Sequence, residues 1–154
     1  MKTLNELYLD LKKFSDFDAN PDNQELFLNT VDKIVLRKDS SSIPILLNYF
    51  DDESEYGWLM TSIRKSIEFY PREEYINSIL LNIKNLCNIG IIWADEILNS
   101  ILNENEDQKY FREYMHLADK TSLLKLFDFM EKESPHHASL IQELRHELEK
   151  TPNQ

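Results

Sequence analysis

An all-α fold, a curved helical bundle or irregular α-solenoid of about nine helices, is what the sequence predicts, and three observations predict it. Only Gly57 and Gly90 are glycines among 154 residues, too few for the positive-φ positions that tight strand-to-strand turns require. Apolar residues recur almost throughout at three-and-four spacing, the period of an amphipathic helix. Capping residues and first-turn prolines mark helix starts at short intervals, and the links between them are only about two to six residues long, which favours antiparallel neighbours.

Thr3 and Glu6 have capping-box spacing, and Leu4, Leu7, Leu11, Phe14 and Phe17 share the stripe of a first helix over 4–15. Asn20 followed by Pro21 reads as a cap and first-turn proline, opening a second helix with Leu26, Phe27, Val31, Ile34 and Val35 inside and Lys33, Arg37 and Lys38 at its carbonyl end. After the serine run 40–42 comes a short apolar helix, 43–50, closed by Asp51, Asp52 and Glu53. Ser54 is the expected cap of a fourth helix, reaching Phe69 through Trp58, Leu59, Ile63 and Ile67. Pro71 with Glu73 and Glu74 starts a fifth, which should run to a break at 88–90. Periodic segments over 91–103, 107–117, 122–132 and 135–150 complete the set, with Thr121 or Ser122, and Ser134 before Pro135, as caps. No linker is long enough to divide the chain, so residues 1–154 read as one domain. The segment 43–69, a short apolar helix, an acidic turn and a helix carrying Arg64 and Lys65, reads as one unit of a HEAT-like helical hairpin.

Charge and composition narrow the function. The chain carries 28 acidic against 17 basic side chains, a formal charge of −11, with 42% hydrophobic residues. That apolar content implies a packed core, and the acidity is the reverse of what phosphate neutralisation needs, so direct nucleic-acid binding is not expected. Cys87, the single cysteine, lies in an apolar stretch and reads as a buried, unreactive thiol. The residues Met1 to Glu6 turn polar at once, unlike a secretory signal, and no apolar run is long enough to span a membrane. A cytoplasmic protein with no membrane partner is the expectation.

No motif carries catalysis. The oxygens of Asp16, Asp18, Asn20 and Asp22 alternate like the first half of a calcium loop, but Pro21 stands where that loop needs glycine and Phe27 where it needs glutamate. Glu143 and His146 have the Glu-x-x-His spacing of di-iron bundles in one copy, where two are required. His136 and His137 diverge by about 100° on a helix, which does not suit one metal. His116 has no nucleophile beside it in sequence. No enzyme activity, cofactor or metal is expected.

Binding is what the sequence does support. Acidic clusters fall at Asp16 to Glu25, Asp51 to Glu55, Glu68 to Glu74, Asp95 with Glu96, and Glu104 to Asp107, interleaved with Tyr56, Trp58, Tyr70, Tyr75, Trp93, Tyr110 and Tyr114. Rings supply buried area and carboxylates supply orientation, the composition of a protein-binding surface. The candidate partner-binding residues are Asp51, Asp52, Glu53, Glu55 and Glu68 as charges for a basic partner, with Trp58, Tyr70 and Trp93 as anchors.

The middle of the chain also resembles a known family. Phe50-Asp51-Asp52, Glu55, Ile67-Glu68-Phe69, Tyr75-Ile76, Trp93-Ala94 and Ile101-Leu102-Asn103 are similar to the immunity protein 30 family, bacterial polymorphic-toxin immunity proteins associated with systems that include contact-dependent growth inhibition. It departs from that pattern at Thr61, Lys65 and Ser100. The resemblance implies a small helical inhibitor that binds the toxic C-terminal domain, often a nuclease, of a cognate toxin. Together with the charge it predicts a protein that covers a basic toxin's active-site cleft with acidic side chains. The alternative from the residues alone is a helical-repeat adaptor or scaffold for a cellular protein.

Overall fold

The computed structural model describes residues 1–150. Among them are nine α-helices, three single 3₁₀ turns and no strand. In chain order the helices are α1 (Leu4–Phe14), α2 (Asn23–Leu36), α3 (Ile43–Leu47), α4 (Gly57–Ile67), α5 (Arg72–Leu81), α6 (Ile83–Leu102), α7 (Asn105–Tyr114), α8 (Lys120–Glu133) and α9 (Ala138–Glu149). One cluster of buried side chains runs from Leu7 in α1 to Leu148 in α9. The main packings join α1 to α2, α2 to α4, α3 to α5, α5 to α7, α6 to α8 and α8 to α9. Each helix therefore meets elements one or two places away in the chain, which is how a serial stack buries amphipathic helices in one continuous core.

The α1 capping box forms as expected: the Glu6 N–H donates to Thr3 Oγ1 at 3.2 Å and the Thr3 N–H to Glu6 Oε2 at 3.1 Å. Other starts differ because short polar side chains take nearer backbone partners. Asn20 Oδ1 accepts from Asp22 N at 3.0 Å, so Pro21 sits inside that turn and α2 begins at Asn23. Ser54 Oγ accepts from Tyr56 N at 3.0 Å and forms a turn, leaving α4 to start at Gly57. At α8 the cap is Asp119, whose carboxylate accepts from Ser122 N at 3.0 Å and from Ser122 Oγ at 2.6 Å. Those bonds, the hydroxyl's first, hold the Asp119 pKa below the usual carboxylate value.

The fifth and sixth expected helices are partitioned differently. The chain breaks at Asn82, whose Nδ2 donates to Ser78 O at 2.8 Å and whose backbone leaves the helical region (φ −108°, ψ 11°). Helix α6 then runs through the expected break at 88–90, which survives as a kink at Gly90 (ψ 73°). The α3–α4 loop closes this kink. Asp52 N–H donates to Ile89 O at 3.3 Å, and Asp52 Oδ2 accepts from Ile92 N at 3.2 Å, so one residue bonds a carbonyl and an amide on either side of Gly90. A Cβ at Gly90 would stand 3.4 Å from Asp52 Oδ1 and 3.3 Å from Trp93 Cδ1, so glycine permits this approach.

Helices α2 and α4 lie alongside one another in the same direction. Phe27 near the start of α2 and Leu59, Met60 and Ile63 of α4 line one depression, while Val35 and Leu36 at the end of α2 and Ser66 and Phe69 beyond it line another.

Candidate partner-binding cleft

The depression at the amino ends of α2 and α4 is a cleft of about 670 Å³ between two loops far apart in sequence. The α1–α2 loop contributes Asp16, Phe17 and Asp18; the α3 end and α3–α4 loop contribute Tyr49, Phe50, Asp51, Glu53 and Tyr56; Asn88 and Ile89 before the α6 kink form the back. Its wall is aromatic. Phe17 packs edge-on against Phe27 (5.2 Å between centroids) and Tyr56 (4.9 Å), and Phe27 against Tyr49 (5.3 Å). Each such pair adds about 0.5–1.5 kcal/mol beyond area burial, so the loops meet over a fixed surface.

Four carboxylates, Asp16, Asp18, Asp51 and Glu53, line the cleft, and no lysine, arginine or histidine does. Tyr56 Oη donates to Asp18 Oδ1, which ties the loops together. That bond is also the first cause of a raised Tyr56 pKa, since ionisation would forfeit the donor and set phenolate against carboxylate. Asp16 Oδ1 accepts from Ala19 N at 3.3 Å and Asp51 Oδ1 from Glu53 N at 2.9 Å, which fixes each loop's shape. Among the described residues, Asp16, Asp18, Asp51, Glu53 and Glu55 enter none of the ion pairs. The positive dipole ends of α2 and α4 stand at this end of the helix pair and offset part of the carboxylates' mutual repulsion.

The structure distributes the expected binding residues unevenly. Asp51 and Glu53 lie in the cleft, Glu55 is exposed in the same loop, and Trp58 is 53% exposed on the first turn of α4. Asp52 faces the α6 kink. Trp93 is half-buried against Phe50, with centroids 5.5 Å apart. Glu68 lies in a separate depression, accepting from Ser100 Oγ at 2.7 Å and paired with Arg64 at 3.5 Å. Tyr70 is 1% exposed, a core ring whose pKa burial pushes up to about 12, so it offers a partner no surface. Asp16, Phe17, Asp18, Tyr49 and Tyr56 are cleft residues absent from the expected binding residues; their signal, acids beside aromatics, is present in sequence, but nothing there joins the two loops.

The remaining chemistry resolves into structural roles. In the calcium-like loop Asp16 and Asn20 accept from the loop's own amides and Asp18 from Tyr56, and among the described residues no group of three histidine, cysteine or acidic side chains is placed to hold a metal. Burial pushes the Cys87 thiol up to about 11, well away from a reactive thiolate. Glu143 pairs with Arg112 at 3.0 Å, and His137 Nε2 contacts Asn103 Oδ1 at 2.9 Å. Among the described residues no helix is long and apolar enough to cross a membrane.

The model of the family described as Immunity protein 30 matches residues 17–111, which is more than half of the chain. The chain belongs to the immunity protein 30 family. The match contains the whole stretch on which the resemblance rests, most of both cleft-forming loops, and helices α2 to α6. Immunity proteins neutralise toxins and are generally not enzymes, so this family makes a cognate toxin the partner class. No curated protein matches the chain, and no solved structure does.

Proposed function

We propose that this immunity protein neutralises a basic toxin domain, a nuclease of the contact-dependent growth inhibition type, by covering its active-site cleft with the acidic cleft described above. The observation that carries the reading is that Asp16, Asp18, Asp51 and Glu53 converge from two loops around an aromatic wall with no basic side chain among them. A nuclease active site is built to attract phosphates, and carboxylates at similar spacing can occupy the same lysines and arginines. The neighbouring Glu55 and Trp58 extend the surface, while the net charge of −11 speeds encounter with a cationic domain. The setting is the bacterial cytoplasm, where a toxin that attacks nucleic acid must be met.

The test is a variant with Asp16→Asn, Asp18→Asn, Asp51→Asn and Glu53→Gln, which keeps the acceptor oxygens and removes the charges. Binding to the toxin domain encoded beside the gene should weaken at least about tenfold at low salt, with a shallower salt dependence. Cells producing that domain should no longer survive on the variant. Unchanged affinity and unchanged protection would remove the cleft from the mechanism, and protection against a toxin without nuclease activity would remove the nuclease.

A further inference from the structure

At the other end of the α2/α4 pair the surface changes sign. Leu36 is 78% and Phe69 75% exposed, and together with Val35 and Ser66 they line a groove of about 450 Å³ with Lys38 and one carboxylate, Asp32, at its edge. Lys2, Lys33 and Arg37 surround Leu36 on its other side. Four of the chain's 17 basic residues thus gather around two protruding apolar side chains, on a strongly acidic protein, and of the four Lys2 pairs with Asp10. Lys33, Arg37 and Lys38 enter none of the ion pairs among the described residues. Lys38 holds a left-handed backbone (φ 51°), the conformation in which glycine usually ends a helix.

This end is continuous with the acidic one. Trp58, Ser62 and Ser66 follow four-residue spacing along α4, and Phe69 shares the groove with Ser66. The ridge therefore has an exposed aromatic at each end, about 16 Å apart along the helix axis, with Ser62, Ser66 and the exposed Lys65 between them. That span fits within one face of an ordinary protein interface, about 800 Å² per partner.

We propose that Trp58 and Phe69 at the two ends of this ridge, with Leu36, are the apolar anchors of the toxin interface, and that the lysine-rich end receives an acidic patch on the same toxin domain whose basic cleft meets Asp16, Asp18, Asp51 and Glu53. The inference rests on the proposed function and adds to it the direction in which the toxin docks. A partner basic at one end and acidic at the other fits in one orientation; reversed, like charges would oppose each other at both ends. Two copies of this chain meeting patch to patch would set Lys33, Arg37 and Lys38 against the same three cations, which disfavours a symmetric dimer through this face.

Two variants test it against the same toxin domain, one with Leu36→Ala and Phe69→Ala, the other with Lys33→Glu and Lys38→Glu. The apolar pair should bind about 10–100-fold more weakly through faster dissociation at any salt concentration, and the charge pair should lose affinity mainly at low salt. Both should melt as the parent does, because the residues are exposed. If both bind like the parent while the neutralised cleft variant does not, the inference is overturned and the proposed function stands. If the parent does not bind that domain, both fall. A concentration-dependent dimer, or sedimentation with phosphatidylglycerol vesicles, that disappears with Phe69→Ala would instead assign the patch to a second copy or to a lipid surface, and would also overturn it.

Discussion

The cleft between the α1–α2 and α3–α4 loops and the stack of α7, α8 and α9 are built from the same acidic residue types, yet they use them in opposite ways. In the stack, arginines from neighbouring helices reach the acids. Arg112 of α7 pairs with Glu143 and Glu147 of α9, and Arg145 of α9 pairs with Asp128 and Glu131 of α8. Where α5 meets α7, Arg72 grips Asp107 with two bonds, 3.2 Å from Nε and 2.6 Å from Nη2, and its guanidinium lies 4.8 Å from the centre of the Tyr75 ring. At the cleft no arginine reaches any carboxylate. Internal pairing tells which acids hold helices together, and its absence around a shaped aromatic wall sets apart the acids that the proposed function gives to a partner. The family match ends at Phe111, within α7, and so takes in the Arg72–Asp107 pair as well as the cleft.

The comparison can be broken at several places, and the largest effect belongs to Arg72. Asp107 is only 4% exposed, so Arg72→Ala leaves a nearly buried carboxylate without its two donors. Stability should fall by about 3 kcal/mol or more in chemical denaturation; a loss near that of an exposed pair would mean the stack is not held by its charges. Asp52 is an acid of the α3–α4 loop that serves the fold through its bonds to α6. Asp52→Ala should cost about 1–2 kcal/mol, because it frees the Ile92 N–H at the α6 kink, while Asp52→Asn, which keeps an acceptor, should cost far less. Equal losses in the two variants would mean the charge, not the hydrogen bond, matters there. The smallest effect is expected at the cleft: the fourfold Asn and Gln variant should melt within about 0.5 kcal/mol of the parent, or slightly above it as like-charge repulsion is relieved. A large loss of stability would make those acids structural and erase the contrast.

The helical class and the number of helices were legible in the chain, since glycine scarcity and the three-and-four apolar pattern are local and additive. Their boundaries were legible only in part. Asn20, Ser54 and Asn82 each redirected a terminus through a hydrogen bond to a backbone group within four residues, a choice that composition leaves open between cap and turn. Among the binding candidates, exposure sorted residues that look alike in sequence. Tyr70 and Trp58 are both aromatics beside acids, but Tyr70 falls on the buried side of the turn after α4 and Trp58 on the open face of the helix.

By itself the sequence determined an acidic, all-helical chain, a resemblance centred on residues 43–103, and a surface rich in carboxylates and rings. Those properties belong to residue types and to spacings within one or two helical turns. The tertiary structure alone decided that Asp16 and Asp18 meet Asp51 and Glu53, that Asp52 turns inward to the α6 kink, and that Leu36 joins Phe69 at the opposite end of the helix pair. Such meetings join segments about 35 residues apart, and they are set by how α2 and α4 lie together in the core, which no local pattern encodes.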